Sequence, residues 1–126
     1  MVDQKIQLRP SIPSILITEN YSSEEKFQNN ILRPIIKLQH DLILSFFEEH
    51  LKRNKINISA LNPTQRKSLT HKLFNKDNRL KIELRGLIIG LFTVEEFNEY
   101  LNHSSQLNKR INNMIEQRIN SCIIKE

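Results

Sequence analysis

Ile31-Leu-Arg-Pro-Ile-Ile-Lys-Leu-Gln-His-Asp-Leu-Ile-Leu-Ser-Phe-Phe-Glu-Glu-His-Leu51 is the stretch whose reading decides the fold. Its apolar residues Ile31, Leu32, Ile35, Ile36, Leu38, Leu42, Ile43, Phe46, Phe47 and Leu51 recur mostly three and four apart. That period draws one broad stripe along an α-helix, whereas a strand would alternate every second residue. Arg33, Lys37, Asp41, Glu48, Glu49 and Lys52 take the other face. Pro34 has no N–H to give and is tolerated in a first turn, where that donor has no intrahelical acceptor. The helix is therefore expected to start near Asn30.

Working outward, Ser22 with Glu25 forms a capping-box pattern and predicts a short helix from about Ser23 to Asn29. Downstream, residues 54–61 read as a connector. Asn62-Pro63 supplies an N-cap and a proline at N1, so a helix should run to about Phe74 with Leu69, Leu73 and Phe74 inward. Asn75 to Asn78 breaks it. The next helix spans 79–91 and uses Leu80, Leu84, Leu87, Ile88 and Leu91. Thr93 with Glu96 is a second capping box, opening a short amphipathic helix with Val94, Phe97, Tyr100 and Leu101. After a junction at 102–105, Leu107, Ile111, Met114, Ile115, Ile119, Cys122 and Ile123 line one side of a final helix.

Residues 1–20 do not read as helix. Pro10 and Pro13 remove donors, and Ile15-Leu16-Ile17 favours extended backbone. They are expected to form an extended apolar arm over the core or over a neighbouring subunit, with residues 21–126 as a single helical domain. Two glycines and four prolines are too few for the tight turns of a sandwich or barrel. The expectation is an all-α protein, a compact bundle of about five helices. No stretch is long and apolar enough to span a bilayer, and Asp3, Lys5 and Arg9 deny the N-terminus a signal-peptide core. A lone Cys122 forms no internal disulfide. A cytoplasmic protein is expected, with no membrane partner, metal or cofactor.

The charge is polarised. Residues 51–85 hold ten Lys/Arg against Asp77 and Glu83, a local charge of +8 inside a chain of net +5. A coding bias towards A and T enriches Ile, Asn and Lys without functional cause, but does not cluster charge. Such a segment is either a solvated surface or a phosphate-binding one. Arg66, Lys67, Lys72, Lys81 and Arg85 are the candidate phosphate-binding residues. No helix-turn-helix is recognisable, and Phe74, the one aromatic of the segment, reads as core, so direct base readout is not expected.

Gly86 and Gly90 lie four apart and bare one helix face. Close packing inside the bundle, a close subunit contact, or a ligand on exposed backbone would each use such a face. The spacing is not that of a phosphate loop. Among the histidines His40, His50, His71 and His103 no metal-binding spacing occurs. Glu99 and His103 can share a helix face as a surface pair. Cys122, within an apolar stripe, reads as structural.

Phe27-Gln-Asn29, Leu32-Arg33-Pro34, Lys37-Leu-Gln39, the run Gly86-Leu-Ile-Ile-Gly90 through Phe92-Thr93-Val94-Glu95-Glu96, and Leu107-Asn-Lys-Arg110 carry a resemblance. The chain from about residue 8 to 120 resembles a family of small, uncharacterised bacterial helical proteins whose members often bear an automatic "glyoxalase" label. The resemblance implies a helical fold and places no catalytic residue on this chain. Vicinal-oxygen-chelate glyoxalases build their sites from βαβββ units with His and Glu ligands on strands, and no such strand set is present in this pattern. The residues therefore point first to a non-enzymatic intracellular interaction protein that assembles through helices as a homodimer or with a protein partner. Nucleic-acid association through residues 52–85 is the alternative, and a glyoxalase-type activity rests on the family label alone.

Overall fold

A computed structural model describes residues 4–10, 22–76 and 78–123. Among the described residues the chain is all-α, with no strand. A single turn, α1 (Gln4–Gln7), precedes seven longer helices. These are α2 (Ser23–Phe27), α3 (Arg33–Leu38), α4 (His40–Arg53), α5 (Pro63–Lys76), α6 (Asn78–Ile89), α7 (Val94–Asn102) and α8 (Ser104–Ile123).

The helix count exceeds the expected five because the first long helix is assembled from pieces. Between α2 and α3 the chain does not stop, but passes through a π-helical turn, Gln28–Leu32. There the Arg33 N–H reaches the Gln28 carbonyl, five residues back. The widened turn lets Pro34 sit inside a continuous helical path, rather than in an opening turn near Asn30. The next interruption is Gln39, whose φ/ψ of −91°/9° separates α3 from α4. Its Nε2 donates to the Leu87 carbonyl at 3.1 Å, so the break is tied to α6.

The ends of α4 and α5 follow local rules. Lys55 takes φ 55°, the left-handed region. Lys55 N–H bonds the Lys52 carbonyl and Ile56 N–H bonds the Leu51 carbonyl, which closes the helix as a Schellman motif. Asn62 and Gln65 cap α5 reciprocally: the Gln65 N–H donates to Asn62 Oδ1 and the Asn62 N–H to Gln65 Oε1.

Helix α8 is the axis of the bundle, with α4, α5, α6 and α7 all packed against it. Leu107, Ile111, Ile115 and Ile119, every fourth residue, are fully buried. Each such side chain contributes about 2–3 kcal/mol of transfer free energy. Phe27, Leu32, Ile35, Ile43, Phe47, Leu84 and Ile88 complete the core around it. The apolar stripe of the last helix is thus covered inside the molecule. The expected N-terminal arm is helical over Gln4–Gln7, and its residues 1–3 and 11–20 lie outside the described ones.

Candidate functional site

Four places on the surface carry chemistry that the core does not explain, and the structure separates them. The basic segment is the first. Arg66 does not belong to its surface. The residue is 8 % exposed, and its Nε donates to the Ile58 carbonyl at 3.1 Å and to that of Leu61 at 3.0 Å. Nη1 donates to the Ile123 carbonyl at 2.7 Å. The guanidinium thereby closes the C-terminal end of α8 onto the 54–62 connector, so Arg66 is withdrawn from the phosphate-binding set. The other four candidates stay at the surface: Lys67 and Lys72 exposed on α5, and Lys81 and Arg85 half-buried on α6.

The glycine face is the second. Gly86 and Gly90 are both exposed. A Cβ built on Gly86 would meet nothing within 4 Å, and one on Gly90 would meet only the Gly86 carbonyl oxygen, at 3.1 Å. Close packing inside the bundle is therefore not what these glycines do among the described residues.

The third place is the corner where α7 begins. Thr93 and Glu96 form the expected capping box, each accepting from the other's backbone N–H. Glu96 has a further partner that sequence periodicity does not reveal. Arg9 grips its carboxylate with both terminal nitrogens, at 2.7 and 2.6 Å, and bonds the Leu91 carbonyl at 2.9 Å. The two side chains are 7 % and 12 % exposed. Burial pushes the Glu96 carboxyl upward, but hydrogen bonds from Arg9 and Thr93 and the Arg9 charge outweigh it and hold it below the ordinary glutamate range. Lys5 Nζ donates to the Phe92 carbonyl at 3.1 Å. The N-terminal turn is thus pinned beside α7.

On that corner the apolar stripe of α7 is only half used. Tyr100 is buried against Phe92, ring centroids 5.7 Å apart. Val94, Phe97 and Leu101 are 78 %, 39 % and 53 % exposed. The expectation of an amphipathic helix was right, but most of its apolar face looks outward. Ile6 and Leu8, on the pinned turn, are exposed as well. Glu99 and His103 do not pair: His103 Nδ1 lies 3.3 Å from Glu24 Oε1 instead, joining the α7–α8 junction to α2. The Glu24 carboxyl lies below its ordinary range, chiefly through a backbone hydrogen bond in the first turn of α2, with His103 assisting.

The fourth place was not singled out by the sequence. A cleft of about 510 Å³ lies between the π turn with α3 and the outer side of α8. Arg33 and Lys37 stand one helical turn apart on one wall and Arg118 on the other, above Ile36 and Met114. Arg118 Nη1 lies 3.2 Å from His40 Nδ1. Arginine can only donate, so that nitrogen accepts, and the ring proton is left on Nε2, 3.9 Å from Cys122 Sγ. Arg33 and Lys37 read in sequence as an ordinary solvent face of a helix. What gathers them with Arg118 is a contact 81 residues away in the chain, which no local pattern encodes.

Among the described residues no group of three or more His, Cys, Asp or Glu side chains is placed to hold a metal ion. No helix there is long and apolar enough to cross a membrane. Comparison of the chain with family models, curated proteins and solved structures finds no match.

Proposed function

We propose that the protein is a non-enzymatic interaction protein that assembles through its helices, in the first place as a homodimer. The observation that carries this reading is the outward stripe of Val94, Phe97 and Leu101 on α7. Large apolar side chains grouped on one face of a small domain mark a contact surface. An isologous pair would bury the stripe of one copy against the same stripe of the other. Ile6 and Leu8, held beside α7 through Arg9 and Lys5, extend that surface. The open face at Gly86 and Gly90 supports the same reading at a second place, since backbone left bare is where another helix can approach closely. A cytoplasmic setting belongs to this proposal.

A second reading has its own support. Lys67, Lys72, Lys81 and Arg85 make no salt bridge with described residues and remain available to nucleic-acid phosphates. Light scattering of the purified chain, with and without a mixed-sequence duplex at low and high salt, separates the two. A dimer indifferent to the duplex supports assembly through α7. A complex that forms at low salt and dissolves at high salt supports phosphate binding through α5 and α6.

A further inference from the structure

We infer that the cleft between α3 and α8 is a binding site for a small organic phosphate. The inference starts from charge. Arg33, Lys37 and Arg118 line one cleft, and no Asp or Glu is among its lining residues. Arg33 and Lys37 make no salt bridge or side-chain hydrogen bond with described residues, whereas Arg53 and Arg79 on other helices pair with Glu49 and Glu83. Three like charges converging without a counter-ion repel one another, and a multivalent anion relieves that repulsion.

The neutral groups of the cleft are arranged for the same ligand. Arg110 Nη1 donates to Gln28 Oε1, which engages the acceptor end of that side chain and leaves its amide N–H groups to donate. Arg118 spends Nη1 on His40 Nδ1 and keeps its other guanidinium N–H groups without a partner among the described residues. Guanidinium groups and an amide donor facing one space suit the several acceptor oxygens of a phosphoryl group. Size and wall argue for more than the bare anion. A volume of about 510 Å³ lies in the range of small-molecule pockets, and the half-buried Met114 gives it an apolar part. The phosphoryl group belongs at Arg33, Lys37 and Arg118, and the organic body over Met114. This site shares no residue with α7 and stands whether or not the chain dimerises.

The test is a titration of the full chain with inorganic phosphate, then with phenyl phosphate, at constant ionic strength, followed by backbone amide NMR. Saturable shifts are expected at Gln28, Arg33, Lys37, Gln117, Arg118 and Ser121. Arg33→Gln with Lys37→Gln touches no described contact of the fold and should weaken binding about tenfold or more. Lys26→Gln with Lys109→Gln, two exposed lysines outside the cleft lining, removes the same charge and should leave the affinity unchanged. Phenyl phosphate should bind more tightly than inorganic phosphate. No saturation up to about 10 mM, or equal losses in the two double variants, overturns the site. Equal affinity for the two probes overturns the organic body.

Discussion

Replacing Arg9 by Met tests how the N-terminal turn is held against the rest of the molecule. The substitution removes two charge-assisted bonds to Glu96, at 2.6 and 2.7 Å, and one to the Leu91 carbonyl. Breaking a fully buried pair costs about 3–5 kcal/mol, because one charge is left without its partner. Here the loss is smaller for two reasons. Glu96 keeps the N–H of Thr93 as a donor at 2.9 Å, and its side chain retains some access to water. The Nε of Arg9 is already buried without a partner, so its removal relieves one desolvated group. We expect a loss of about 2–3 kcal/mol at neutral pH, or about 10 °C in Tm for a domain of this size. Urea unfolding measures it. The pH dependence has a definite sign. The folded-state pKa of Glu96 is lowered, so its contribution is present above the unfolded value of about 4.3. It is lost as pH falls through the folded value. The gap between wild type and Arg9→Met should therefore narrow in acid. Glu96→Gln can still accept the Thr93 N–H, so a double-mutant cycle isolates the pair. A loss below about 0.5 kcal/mol at neutral pH, or a gap that does not change on acidification, would refute the reasoning.

Two further perturbations have expected outcomes of opposite sign. Arg66→Met strips donors from the carbonyls of Ile58, Leu61 and Ile123 and should cost about 3 kcal/mol in urea unfolding, with Lys a poor replacement because it lacks the fork of donors. Gly86→Ala should stabilise the chain by about 1 kcal/mol in a thermal melt, since the position is helical and a Cβ there meets nothing. The same variant should leave the molecular mass unchanged if α7 is the contact, whereas a lower mass would move the contact to the glycine face.

The class of fold was legible because the apolar periods of 31–51, 79–91 and 107–123 are long and the caps at Ser22, Asn62 and Thr93 are local chemistry. The pieces of the first helix were not. Pro34 reads as a helix start, and only the π turn ahead of it shows that a continuous path can carry it. Burial within α7 was not legible either, for a related reason. Periodicity tells which residues share a face, but not whether a neighbour covers that face, and here Tyr100 is covered while Phe97 and Leu101 are exposed. Arg66 illustrates the limit for charge. Counted in sequence it belongs to a basic surface, yet its acceptors are carbonyls on the connector and at the end of α8, brought together by the packing of α5 on α8. The cationic cleft has the same origin in long-range contact.

The most direct test of assembly through α7 is the molar mass of the wild-type chain and of Phe97→Glu with Leu101→Glu, by light scattering at micromolar concentration. The account predicts twice the chain mass of 15.0 kDa for the wild type and a single chain mass for the variant, with unchanged helical content. A wild type that runs as a monomer, or a variant that stays dimeric, would contradict it.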